Sequence, residues 1–230
     1  MEDYGYIKRN YETLTDELSD IAARVGVNTP RLVCVTKSGS DEELLALVRA
    51  GAKELGENRP GEVKRRFELI CEAGLSADMH EIGTLQRNKV KLVAPVTAMI
   101  HSVDTKKLAE DISRHAIQNG RKIPVLIEIN SGEEESKSGV LPSEAEALML
   151  DILELDGIEV NGLMTMGPVS ENPEDLRKYF RLTKKLFDVL GEKYGFGASP
   201  TLSMGMSDSY RIAIEEGSTL VRVGRKLFMK

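Results

Sequence analysis

Lys37 stands at the exit of the apolar run Leu32-Val33-Cys34-Val35, in the tetrapeptide Val35-Thr36-Lys37-Ser38. A lysine placed there faces a partly desolvated cavity, and loss of hydration favours the neutral amine that attacks carbonyls. Pairing to a carboxylate is the ordinary alternative. A second group of chemistry-bearing residues lies near the C-terminus: Ser207 and Asp208, then Arg222, Gly224 and Arg225. Serine hydroxyls, backbone amides that a glycine leaves open and guanidinium groups are what hold a phosphate. Here the ordinary alternative is a helix cap at Ser207 and a tight turn at Gly224.

Short apolar runs alternate with amphipathic stretches along the chain. Eight runs read as strands: Leu32–Thr36, Glu54–Glu57, Met79–Ile82, Met99–Val103, Val125–Ile129, Val160–Met166, Leu202–Met206 and Leu220–Val223. Several are continuously apolar, as strands buried on both faces should be. Ser40-Asp41-Glu42-Glu43 is a capping box, followed by apolar residues at helical spacing and a stop at Gly51. Leu176, Tyr179, Phe180, Phe187 and Leu190 form another helical stripe, and 105–119 and 144–155 look similar. An extra helix over about 3–25 precedes the first strand. The loop 131–139 is partly acidic and reads as surface. Eight strands alternating with helices predict a parallel sheet closed into a single (β/α)8 TIM-type barrel over 1–230, with an open doubly wound sheet as the second choice. A barrel collects its functional groups at the C-terminal ends of its strands. Lys37 and the serine–glycine–arginine group both fall there. An amine and an anion cradle together suit an aldehyde that carries a phosphate. Pyridoxal 5′-phosphate (PLP) fits, and so does a sugar phosphate for a Schiff-base aldolase.

The remaining features exclude more than they assign. Lys plus Arg total 31 against 37 Asp plus Glu, a net charge of −6 that argues against nonspecific nucleic-acid binding. The two cysteines, Cys34 and Cys71, have neither metal nor redox spacing, and Cys34 reads as a buried free thiol. His80, His101 and His115 are too scattered for a metal site. Met164, Met166, Met204 and Met206, at period two, read as inward-packing strand residues. The polar N-terminus and the lack of a long apolar run point to the cytoplasm, with no membrane association.

Eight ordered motifs carry a resemblance: VTKS at 35–38, GEN at 56–58, HEIGTLQRNK at 80–89, IHSVD at 100–104, ESKSG at 135–139, GLMTMGP at 162–168, LSMGMSDSY at 202–210 and EEGSTLVRVG at 215–224. With these the chain resembles the YggS/PROSC family of PLP-binding homeostasis proteins, over nearly its whole length. That family looks like the barrel domain of bacterial alanine racemase without the second domain. The resemblance implies that Lys37 carries PLP as a Schiff base, that Arg222 faces the pyridine nitrogen and that Asn58 lies near the ring. It implies that Ser207 and the backbone around Gly224 hold the phosphate, with Ser203 as a helper. Three positions depart from the family pattern. Arg59 and Glu81 stand where an aromatic is common, and Arg225 replaces a small hydroxyl residue, so it either pairs with the phosphate or points outward.

A fixed arginine at the ring nitrogen disfavours protonation there and leaves PLP a weak electron sink. Racemisation also needs an acid–base group on each face of the substrate carbon. Lys37 serves one face; no strand end offers a candidate for the other, although Tyr210 is near enough in sequence to test. The resemblance therefore implies a PLP carrier without turnover, monomeric, with PLP-dependent apoenzymes as candidate recipients. A low-activity amino-acid racemase is the alternative, and a Schiff-base aldolase comes third.

Overall fold

The computed structural model describes residues 4–168, 170 and 172–230. Eight strands pair in chain order, each parallel to the next, into a closed barrel. They are β1 (Arg31–Val35), β2 (Glu54–Glu57), β3 (Asp78–Glu81), β4 (Thr97–Val103), β5 (Ile123–Glu128), β6 (Ile158–Met164), β7 (Thr201–Ser203) and β8 (Leu220–Val223). All eight expected strands are present, and β2 and β8 have the expected bounds. β7 is shorter than expected because Gly205, at φ +93°, turns the chain, and a Cβ there would lie 2.5 Å from the Ala213 side chain.

The helices are α1 (Gly5–Val25), α2 (Asp41–Arg49), α3 (Pro60–Glu72), α4 (Val90–Val93), α5 (Lys106–Gln118), α6 (Ala145–Ile152), α7 (Arg177–Tyr194) and α8 (Tyr210–Glu215). The capping box of α2 is formed: Ser40 Oγ accepts from the Glu43 amide and the Glu43 carboxylate accepts from the Ser40 amide. α3 and α4 are additional to the expected helices, and α8 is the helix expected after Ser207. α4 and α8 are too short to show a helical period, whereas α3 opens with Pro60 in its first turn and buries Val63, Arg66 and Ile70. The N-terminal helix packs against α2 and α8, and Asn10 ties it to the carbonyls of Leu227 and Met229. Asp3, at the start of its expected span, lies outside the described residues.

The strands divide the molecule into two interiors. Outward residues such as Leu55, Met79, Ile100, Leu163 and Val221 join the helices in one large apolar core. Inside the barrel, Met99, Leu126 and Met164 form a separate small cluster. The four methionines do not share one role. Met164 faces the barrel interior and Met204 the outer core, but Met166 and Met206 are exposed beyond the strand ends. Cys34 is a buried free thiol, as expected.

Candidate functional site at the C-terminal mouth of the barrel

The inner side of the barrel carries a row of polar side chains. Arg222 on β8 donates to Ser203 Oγ on β7, and its other terminal nitrogen donates to the Thr165 carbonyl at 3.1 Å. Ser203 Oγ lies 3.1 Å from His101 Nδ1, and His101 Nε2 lies 2.9 Å from His80 Nδ1. His80 Nε2 is 3.5 Å from the Glu54 carboxylate, which Arg31 grips from β1. β4 and β7 are not neighbours in the sheet. The His101–Ser203 contact therefore crosses the barrel interior. A guanidinium only donates, so the Ser203 proton is left for His101 Nδ1. His101 then donates from Nε2 to His80 Nδ1, and His80 donates from Nε2 towards Glu54. This order satisfies both rings as neutral imidazoles. Burial, aided by nearby Arg31, lowers the His80 pKa to about 3. Burial likewise holds His101 well below its ordinary value, helped by His80 and Arg222. The two histidines that look scattered in sequence are thus adjacent. Among the described residues, however, no group of three or more His, Cys, Asp or Glu is placed to hold a metal ion.

Above this row lie the strand ends. Burial lowers the Arg222 pKa to about 10. Glu128, at the end of β5, is also buried; burial, then the nearby Asp104 charge, raise its carboxyl to about 7 against the pull of Arg222. Lys37 follows β1 and is exposed, not enclosed in the desolvated cavity expected for it. It shares a cleft of about 290 Å3 with Ser38, Asn58, Arg59 and Arg66. Thr36 faces outward: its hydroxyl donates to Glu57, which pairs with Arg66 of α3 at 3.2 Å. Glu81 is buried beside Glu57. One of its oxygens accepts from the Gly83 amide at 2.9 Å and the other has no partner, so burial pushes the carboxyl up to about 8.

On the β7–β8 side, Ser207 is half-buried. It does not cap α8, because that helix starts at Tyr210 and Ser209 occupies the position before it. Ser209 Oγ accepts from the Met206 amide at 3.1 Å, while among the described residues the amides of Ser207 and Asp208 donate to no backbone carbonyl. A Cβ at Gly224 would lie 2.9 Å from the Val35 carbonyl, so only glycine lets this loop lie against the end of β1. Arg225 pairs with Asp208, and both are exposed. Tyr210 lies in the outer layer, where its hydroxyl accepts from Lys226 next to Glu17 of α1, so it faces away from the barrel mouth. The structure thus brings Lys37, Arg222, Ser203 and Gly224 onto three adjacent strands, β1, β8 and β7. Asn58 joins them from β2, and Ser207 and Arg225 lie on the loops above. The Glu57–Arg66 pair and Glu128 are missing from the sequence reading. Both acids sit at strand ends, where alternation along β2 and β5 assigns Glu57 outward and Glu128 inward.

This is a parallel (β/α)8 barrel of the alanine racemase N-terminal type, with a lysine after its first strand. The sequence profile described as alanine racemase, N-terminal domain, matches residues 9–230. A protein of Aquifex aeolicus named pyridoxal phosphate homeostasis protein is 43% identical over 203 residues, 88% of each chain. Among solved structures, an unknown protein from Bifidobacterium adolescentis superposes with a TM-score of 0.90 at 35% identity, covering 99% of this chain and 97% of that one. PipY of Synechococcus elongatus PCC7942, with PLP bound, superposes with a TM-score of 0.84 at 25% identity, covering 97% and 100%. The chain belongs to the family of pyridoxal phosphate homeostasis proteins.

Proposed function

We propose that this chain binds PLP at the C-terminal mouth of its barrel, with Lys37 as the covalent attachment point, and serves in PLP homeostasis without catalytic turnover. The carrying observation is the adjacency of β1, β8 and β7. It sets an exposed lysine, a buried arginine and a loop with open amides side by side. These groups fit the parts of PLP: an amine for the aldehyde, a guanidinium for the ring nitrogen, and Ser207, the backbone at Gly224 and the nearby Arg225 for the phosphate. Asn58 would lie beside the ring. Ser203, bonded to Arg222, would orient that guanidinium rather than reach the phosphate. The homeostasis name of the relatives and the PLP held by PipY support the same reading.

PLP supplies an electron sink when bound. Arg222 beside the ring nitrogen opposes its protonation by like charge and keeps that sink weak. Tyr210, the sequence's candidate for a second acid–base group, is turned away to Lys226. The orientation of Tyr210 favours carriage over racemisation. We further take the protein to be cytoplasmic and monomeric; among the described residues no helix is long and apolar enough to cross a membrane. The test is the near-visible absorption of the protein mixed with PLP, beside Lys37→Ala. A band present in the wild type and lost in the variant is expected. A wild type that stays colourless with PLP contradicts the reading, and turnover of an amino acid by the loaded protein contradicts its non-catalytic part.

A further inference from the structure

Lys37 lies in a four-residue turn, closed by the Gly39 amide donating to the Thr36 carbonyl at 2.9 Å. Lys37 and Ser38 are exposed at its tip. One guanidinium holds the base of this turn from outside the barrel. Arg66 Nη1 donates to the Thr36 carbonyl at 2.8 Å and Nη2 donates to the Gly39 carbonyl at 2.9 Å. Arg66 is 5% exposed, and its charge is matched by Glu57, which also accepts from the Thr36 hydroxyl. The planar fork thus spans the two carbonyls that bracket Lys37, a geometry a lysine cannot reproduce. Thr36 is drawn outward by Glu57, which turns the next residue towards the mouth. We propose that Arg66, oriented by Glu57, is a positioning residue for Lys37: it fixes the backbone from which the amine reaches the PLP aldehyde. The proposal rests on the reading of Lys37 as the PLP-bearing residue. In the step it serves, the lysine nitrogen forms a double bond to the aldehyde carbon, and the aldehyde oxygen leaves as water with the two amine hydrogens.

The test compares PLP with pyridoxine 5′-phosphate, which carries an alcohol in place of the aldehyde and cannot condense with the amine. In Arg66→Met we expect PLP affinity and the rate of band formation each to fall by about tenfold or more, as for a misplaced reacting group. Pyridoxine 5′-phosphate affinity should change less than about twofold. Arg66→Lys should fall between the two, and it keeps the test alive if Arg66→Met does not fold. Without any ligand, hydrogen exchange at the Gly39 amide, which closes the turn, should quicken by about tenfold or more in Arg66→Met, because the turn loses its clamp. Equal loss of both ligands, or unchanged PLP binding in a folded variant, overturns the proposal. Unchanged exchange in the turn overturns it as well. If Lys37→Ala keeps the absorption band, the Lys37 reading fails, and the exchange measurement still decides whether Arg66 holds the turn.

Discussion

Ile100 and His101 are neighbours on β4 with opposite surroundings. Ile100 is fully buried in the apolar core between sheet and helices. His101 is equally buried but lies inside the barrel, where it bonds to His80 and Ser203. The same contrast separates Leu202 from Ser203 and Val221 from Arg222. The outer layer is filled as a stable protein requires, by apolar area removed from water. Beside the small Met99–Leu126–Met164 cluster, the inner layer carries polar groups whose desolvation costs more than an apolar replacement, and which stay favourable only while each has its partner. The outside of the barrel holds the fold; the inside is committed to Arg222 and the mouth above it.

Mutations on the two sides should differ in kind. Ile100→Ala should cost about 2–5 kcal/mol of unfolding free energy by chemical denaturation, since it leaves a cavity in the outer core. A cost below about 1 kcal/mol would mean that the outer layer is not the stabilising one. The buried carboxyl of Glu81 should make stability fall with rising pH. Its folded pKa, about 8, lies above the unfolded value, so its contribution is complete below about pH 4.5 and is lost as pH rises through 8. Between pH 6 and pH 9 this group should account for a loss on the order of 2–3 kcal/mol, removed in Glu81→Gln, beside a smaller loss from Glu128, whose carboxyl is raised to about 7. The histidines act in the opposite sense. Their lowered pKa values withdraw stability as pH falls below about 6.5, towards about 3 for His80.

Inside the barrel, His101→Leu should cost about 1–3 kcal/mol, because His80 and Ser203 each lose a partner. His80→Met combined with His101→Leu should recover most of that loss, because the two rings are replaced together and Arg222 keeps Ser203 and the Thr165 carbonyl. A double variant less stable than the single one would show that the polar row stabilises the fold in its own right. Arg225→Thr should have the smallest effect. PLP affinity should stay within about tenfold, because Arg225 is exposed, is engaged by Asp208 and would share the anion with backbone amides. Complete loss of binding would make Arg225 the main anchor.

The barrel was legible in the sequence because strands buried on both sides read as short apolar runs with fixed spacing. What the runs conceal is which face of each residue meets which neighbour. His80 and His101 lie 21 positions apart in sequence, and only the β3–β4 register and the inward phase of both strands bring them into contact. α3 carries Val63, Phe67 and Ile70 at helical spacing, with Arg66 a polar residue on the same buried face. The same arginine proves to be buried against the Lys37 turn. Lys37, Asn58, Arg222 and Gly224 were placed by motif, and the structure gathers them at one mouth. The cap offered as the ordinary alternative for Ser207 does not form, because the α8 start depends on a turn at Gly205 that composition alone does not locate.

The most direct test of the central claim is to reduce the PLP-loaded protein with borohydride, digest it and locate the phosphopyridoxyl mass by peptide sequencing. A single label on Lys37 is the expected result. A label on another lysine, or none on a protein that still turns yellow with PLP, would contradict the assignment of Lys37 as the attachment point.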